Sequence, residues 1–130
     1  MKRVTSIVIL ALLAAMISMA PGAAAAPVFK IGGLASLQSG YGQSMVSGAA
    51  LAIEEINAAG GVNGIKFEID WQDTEANASI GRTAAQKLIY GSKVDAILGC
   101  HASTVVLAIE GLVKSANVLE VAMGSATAVT

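Results

Sequence analysis

The chain has 130 residues, enough for one domain. Apolar residues make up 55% and charged residues 13%, with a mean hydropathy of +0.68, which excludes an intrinsically disordered chain. Residues 1–26 carry Lys2 and Arg3 and no acid, so the remainder holds six basic and nine acidic side chains and a formal charge of −3. A mildly acidic chain with no basic patch and five aromatic residues excludes nucleic acid as a partner. Cys100 stands alone, so there is no internal disulfide and no cysteine-built zinc site.

Residues 1–25 read as an export signal. Lys2 and Arg3 precede an apolar run from Val4 to Ala20, followed by Pro21-Gly22 and four alanines. A positive start, an apolar middle and a small-residue exit are the parts of a secretory signal peptide. The run is about 17 residues, at the short limit for crossing ~30 Å of hydrocarbon. Ala23-Ala24-Ala25 supplies the cleavage pattern, so the mature chain is predicted to begin at Ala26.

Residues 28–34 predict a strand, short and apolar. A helix is predicted over 43–58, with Met45, Ala49, Ala52, Ile53 and Ile56 on one face. Gly60-Gly61 ends it, and Asn63-Gly64 turns the chain into a second strand at 65–71. Residues 72–77 read as polar loop, in which Asp73 and Glu75 are solvated rather than paired for catalysis. Asn77-Ala78-Ser79 matches the glycosylation sequon by composition, a short and common pattern. A second helix is predicted over 79–90, with Ala85, Leu88 and Ile89 inward. A buried strand follows at 94–99. Ser103 then opens a third helix with Val105, Ile109, Leu112 and Val113 inward, and residues 117–122 form a fourth strand that Glu120 weakens. This βαβαβαβ order predicts an α/β fold, a parallel sheet of about four strands with helices on both faces.

Ligands of such sheets sit beyond the carboxyl ends of the strands. The loops 35–42, 100–103 and 123–127 fall there, rich in hydroxyls and poor in charge. Ser103 and Thr104 at a helix start can hold a carboxylate or phosphate, or Ser103 can simply cap its helix. Both readings stand on the pattern alone. Gly40-Tyr41-Gly42 offers two glycines of a dinucleotide fingerprint, but Met45 occupies the place of the third, and the phosphate-loop lysine pattern is absent. His101, the only histidine, lacks the partners of a metal site. Cys100 and His101, adjacent on an extended loop, face opposite ways and make no catalytic pair. Cys100 reads as a small buried side chain, and His101 as a pocket-lining or plain loop residue.

The segments FKIGGLASLQSGYGQSMVSGAALAIEEINAAGGVNGIKFEI, AILGCHASTVV and MGSATAVT, in this order and spacing, resemble one family. It is the periplasmic solute-binding proteins of branched-chain amino-acid ABC transporters, the leucine/isoleucine/valine-binding type. The most specific part is Tyr41-Gly42, Gly48-Ala49, then Ala52 to Asn57 with Gly60-Gly61. The resemblance implies two hinged α/β lobes that close on a solute and hand it to a membrane permease in the periplasm. It implies no enzyme activity, no cofactor, and a monomer when full length. Residues 26–130 then correspond to a partial first lobe, truncated, of a protein normally well over 300 residues long.

Carried over position by position, Ser103 matches a serine that holds the ligand carboxylate by hydroxyl and backbone N–H. Ser125 matches a hydroxyl residue contacting carboxylate and ammonium, and Met123 a backbone carbonyl that accepts from the ammonium. His101 and Ala102 match pocket-wall positions, and Tyr41 an aromatic at the mouth. The disulfide that leucine-type members can carry, between the loop near Asp73 and the position of Ala102, is absent. His101 replaces an apolar wall residue, which argues against an aliphatic ligand side chain and toward an amide, an aromatic acid or another carboxylate. The same lobe also serves as an extracytoplasmic sensor domain in receptors, the alternative function.

Overall fold

The computed structural model describes residues 26–126. The predicted export signal and residues 127–130, Thr127 among them, lie outside the described residues. The elements are β1 (Val28–Ala35), α1 (Gly40–Ala58), β2 (Lys66–Asp73), α2 (Ala78–Gln86) running on into a π-helical turn (Lys87–Ser92), β3 (Ala96–Leu98), α3 (Ser103–Ala116) and β4 (Leu119–Val121). Every strand pair is parallel, in the order β2-β1-β3-β4. The α/β class and the four-stranded parallel sheet are as the sequence predicts.

From β1 the chain crosses to β2 in one direction, then returns past β1 to β3 and on to β4. Right-handed crossovers therefore place α1 on one face of the sheet and α2 and α3 on the other. The second face is the dry one. Leu34, Leu88, Ile97, Val105 and Ile109 are fully buried there, with Ala85 and Cys100. Each large aliphatic side chain so buried contributes about 1.5–3 kcal/mol. The four predicted inward residues of α3 are all in this core.

Local chemistry moves several predicted boundaries. α1 starts at Gly40 rather than Gln43, because the Ser39 hydroxyl oxygen accepts from the Gly42 N–H at 3.0 Å and caps the helix there. β2 runs on to Asp73, since Leu34 and Ala35 still pair with Gln72 and Asp73. Asp73 is consequently no solvated loop residue. Its Oδ1 accepts from Leu37 N–H at 3.1 Å and Glu75 N–H at 2.9 Å, tying the loop after β1 to the end of β2. The strands β3 and β4 are three residues each, shorter than predicted. Lys93 (φ 54°) and Asn117 (φ 53°) turn the chain in the left-handed region just before them, so the residues that follow complete the entry turns.

The predicted inner face of α1 is only partly covered. Met45, Ala49 and Ile53 are half-buried, whereas Ala52 and Ile56 are exposed. The helix docks instead through Asn57, whose side-chain amide bonds both the N–H and the C=O of Phe67 in β2 at 2.8 Å each. On the same face of β4, Leu119 is 64% and Val121 51% exposed.

Candidate functional site

The strand order reverses between β1 and β3, and the loops leaving their carboxyl ends diverge to opposite faces. That switch point is where open parallel sheets hold ligands. Three loops meet along this edge, those after β1, β3 and β4.

The loop after β4 is fastened to the loop after β3. Gly99 N–H donates to Val121 C=O at 2.9 Å, and Met123 N–H to Cys100 C=O at 3.3 Å. The Ser103 hydroxyl oxygen then accepts from the backbone N–H groups of Ser125 and Ala126, at 3.2 and 3.1 Å. Gly124 eases this close approach, since a Cβ there would stand a tight 3.2 Å from Ser103 Oγ and 3.3 Å from Val106 Cγ2. Met123, Ser125, Ala102 and Ser103 are thereby brought to one place, though they lie up to 23 positions apart.

Ser103 is the first residue of α3 and not its cap, which corrects the capping alternative. Ala102 holds the cap position, and no side chain bonds the helix start there. The Ala102 carbonyl accepts from Val105 and Val106 N–H. A hydroxyl offers two acceptor lone pairs and one donor. Both lone pairs of Ser103 are used by the β4 loop, so its proton remains for an acceptor in the crevice. The first N–H groups of a helix have no intrahelical partners, and α3 has no acidic residue in its first turn. A hydroxyl proton, free N–H groups and a positive dipole end together suit an anion.

Tyr41, at the start of α1, stacks on His101 from the loop after β3, with ring centroids 5.9 Å apart and planes inclined at 21°. Tyr41 is 80% exposed, and His101 is half-buried with its Nδ1 buried and without a hydrogen-bond partner. A cavity of about 380 Å³ opens beside Gly40, Tyr41 and Ser44. All six predicted site residues therefore lie on this edge. Sequence reasoning missed the structural need for Gly42, where a Cβ would collide with the Ser36 carbonyl. It also missed Gly124. Gly42 stands between Tyr41 and Gln43 and Gly124 between Met123 and Ser125, so no local pattern signalled either approach.

Cys100 is buried as expected, its thiol 3.6 Å from the hydroxyl of the buried Thr74. A larger cavity, about 470 Å³, lies toward the amino ends of the strands among Lys30, Glu68, Asp70 and Ser92. Its polar groups already satisfy one another. Lys30 Nζ is 4.0 Å from Glu68, and Asp70 accepts from Ser92 Oγ at 2.8 Å and Gln72 Nε2 at 3.0 Å. Size alone does not make it the better candidate. Among the described residues no cluster of three potential metal ligands occurs, and no helix is long and apolar enough to cross a membrane.

Residues 28–130 match the family model described as periplasmic binding protein, and the chain belongs to that family. Similar solved structures include the branched-chain amino acid transporter substrate-binding protein LivJ from Streptococcus pneumoniae in complex with isoleucine. It is 29% identical over 75% of this chain and 29% of that one, with a TM-score of 0.70. A solute-binding protein of an ABC transporter from Rhodopseudomonas palustris BisB5, in complex with 3,4-dihydroxybenzoic acid, is 26% identical over 78% of this chain and 28% of that one, at 0.66. An R. palustris solute-binding protein in complex with 4-hydroxybenzoate is 26% identical over 77% and 28%, at 0.68. The chain thus spans less than a third of the length of these relatives. A search of curated proteins finds no match.

Proposed function

We propose that the protein is the exported solute-binding component of an ABC transporter, with residues 1–25 as its cleaved signal. In this reading it binds a small carboxylate at the carboxyl edge of the sheet, delivers it to membrane permease subunits, and catalyses nothing. The observation that carries the reading is Ser103. Its hydroxyl accepts twice from the β4 loop and keeps its proton, at an uncapped helix start, for a carboxylate oxygen. Isoleucine and hydroxybenzoates, found with similar proteins, are all small carboxylates.

The site built by these 130 residues is one wall, whereas small-molecule sites bury 70–90% of a ligand. Binding by this chain is therefore expected in the millimolar range, and a micromolar or tighter constant contradicts the one-wall account. Hydrogen bonds to charged groups contribute about 1.5–3 kcal/mol, and ~1.4 kcal/mol is tenfold. Ser103→Ala is thus expected to weaken carboxylate binding about ten- to a hundredfold in an NMR titration with isoleucine and 4-hydroxybenzoate. Equal affinity in wild type and variant removes Ser103 from the site. Export is tested by intact mass of periplasmic material, which is expected to begin at Ala26; a full-length product is evidence against it.

A further inference from the structure

The two edges of the sheet are finished differently. At β2 the N–H and C=O of Phe67 are both taken by the side-chain amide of Asn57, at 2.8 Å each, so nothing can pair with the strand there. At the other edge β4 pairs with β3 alone. The Val121 C=O accepts from Gly99 N–H, and Met123 N–H donates to Cys100, both on the β3 side. By the alternation of a parallel strand, Glu120 and Ala122 turn their backbone groups to the open side.

The side chains of β4 divide in the same way. Leu119 and Val121 are exposed on the face shared with α1, and residues 117–123 hold no lysine or proline that would blunt the edge. On the other face Glu120 and Glu110 of α3 line one pocket of about 200 Å³ with Val106, Leu107 and Ala122. Glu120 Oε1 is buried there without a hydrogen-bond partner. Among the described residues the only ion pair joins Lys30 and Glu68, so no cation answers either carboxylate. A buried charge without a partner is a costly state that a cation relieves.

We propose that the β4 edge receives a further strand with a lysine or arginine directly opposite Glu120 and apolar side chains on either side of it. Its backbone pairs with Glu120 and Ala122, its cation enters between the Glu120 and Glu110 carboxylates, and its flanking side chains cover Leu119 and Val121. Opposite charges facing each other across two strands stabilise the pair, and like charges oppose it. A second copy paired antiparallel about Glu120 would set two carboxylates face to face, and the β2 edge of a copy is closed by Asn57. Glu120 thus refuses copies of its own strand and admits a basic one. The strand comes from the remainder of the protein's own polypeptide, since the match to the similar LivJ protein spans only 29% of that chain.

The probes are capped pentapeptides, Thr-Val-Lys-Val-Thr and its versions with Gln or Glu at the centre, titrated at millimolar concentration into the ¹⁵N-labelled chain at pH 7. The Lys peptide is expected to shift the amides of residues 118–122 and to bind about fivefold tighter than the Gln peptide, with the Glu peptide weakest. Glu120→Lys is expected to invert that order. The same order in wild type and variant, or no binding by any of the three, overturns the proposal. A second measurement tests where the strand comes from. Glu120→Gln relieves an unpaired carboxylate in the 130-residue chain, but in the protein extended by its downstream coding sequence it leaves the cation unpaired. Its effect on melting temperature is therefore expected to change sign, from slightly raised to lowered. The same sign in both proteins, or a stop codon directly after Thr130, overturns the assignment to the same polypeptide.

Discussion

The helices α2 and α3 pack side by side on one face of the sheet, yet their starts are finished differently. At α2, Asn77 Oδ1 accepts from Ser79 and Ile80 N–H at 2.9 and 3.2 Å, and the helix end is closed on itself. At α3 the cap position holds Ala102 without a side-chain bond, and the neighbouring Ser103 reaches sideways to hold the β4 loop. The first arrangement satisfies the helix and leaves nothing for a ligand. The second leaves backbone donors and a hydroxyl proton pointing to the edge where two other loops arrive. Two helices of one layer thus divide into a closed start and an open one.

Removing the support common to both ends has the largest expected effect. Ile109 is fully buried between the helices and the sheet, and Ile109→Ala is expected to cost 2–5 kcal/mol in chemical denaturation. A cost below 1 kcal/mol would mean that this core does not hold the two helices together. Next, Asn77→Ala is expected to cost about 1 kcal/mol of stability with carboxylate affinity unchanged. Ser103→Ala, which removes no cap but frees the β4 loop, is expected to lose affinity as well as some stability. Identical signatures for the two variants would erase the distinction between the helix ends.

The smallest effect concerns Glu120, which faces α3 from the edge strand in a pocket of about 200 Å³ with Val106, Leu107, Glu110 and Ala122. Its Oε1 is buried without a partner. Burial, and then the nearby Glu110 carboxylate, raise its pKa above the ordinary 4.5. The folded state consequently binds a proton more readily than the unfolded one. Stability contributed by this group grows as pH falls through the raised value toward 4.5 and is lost as pH rises through it. Glu120→Gln is expected to raise the melting temperature slightly at pH 7 and to converge on wild type near pH 4. A variant less stable at pH 7 would mean that the carboxylate is favourably paired.

Much of this frame was legible in the sequence because it follows from period and punctuation. The spacing of Val105, Ile109, Leu112 and Val113 gave the buried face of α3, and the alternation of strand and helix signals gave the parallel sheet. Periodicity does not report which distant residues meet. The Ser103 bond to the β4 loop spans 22 positions and the Tyr41–His101 stack spans 60, so neither could be read from local pattern. The same holds for Asp73, whose polar neighbours suggested solvent while its carboxylate binds Leu37. The six candidate residues were placed by family resemblance, and the structure adds the bonds that tie the β4 loop to Ser103 and the stacking of Tyr41 on His101.

The most direct measurement of the central claim is a map of amide shifts in the ¹⁵N-labelled chain on titration with 4-hydroxybenzoate. The account predicts saturable changes gathered on residues 101–104 and 123–126 and at Tyr41, with Ser79 and Ile80 at the capped helix start unmoved. Changes centred on Lys30, Asp70 and Ser92, or spread equally over both helix starts, would contradict it.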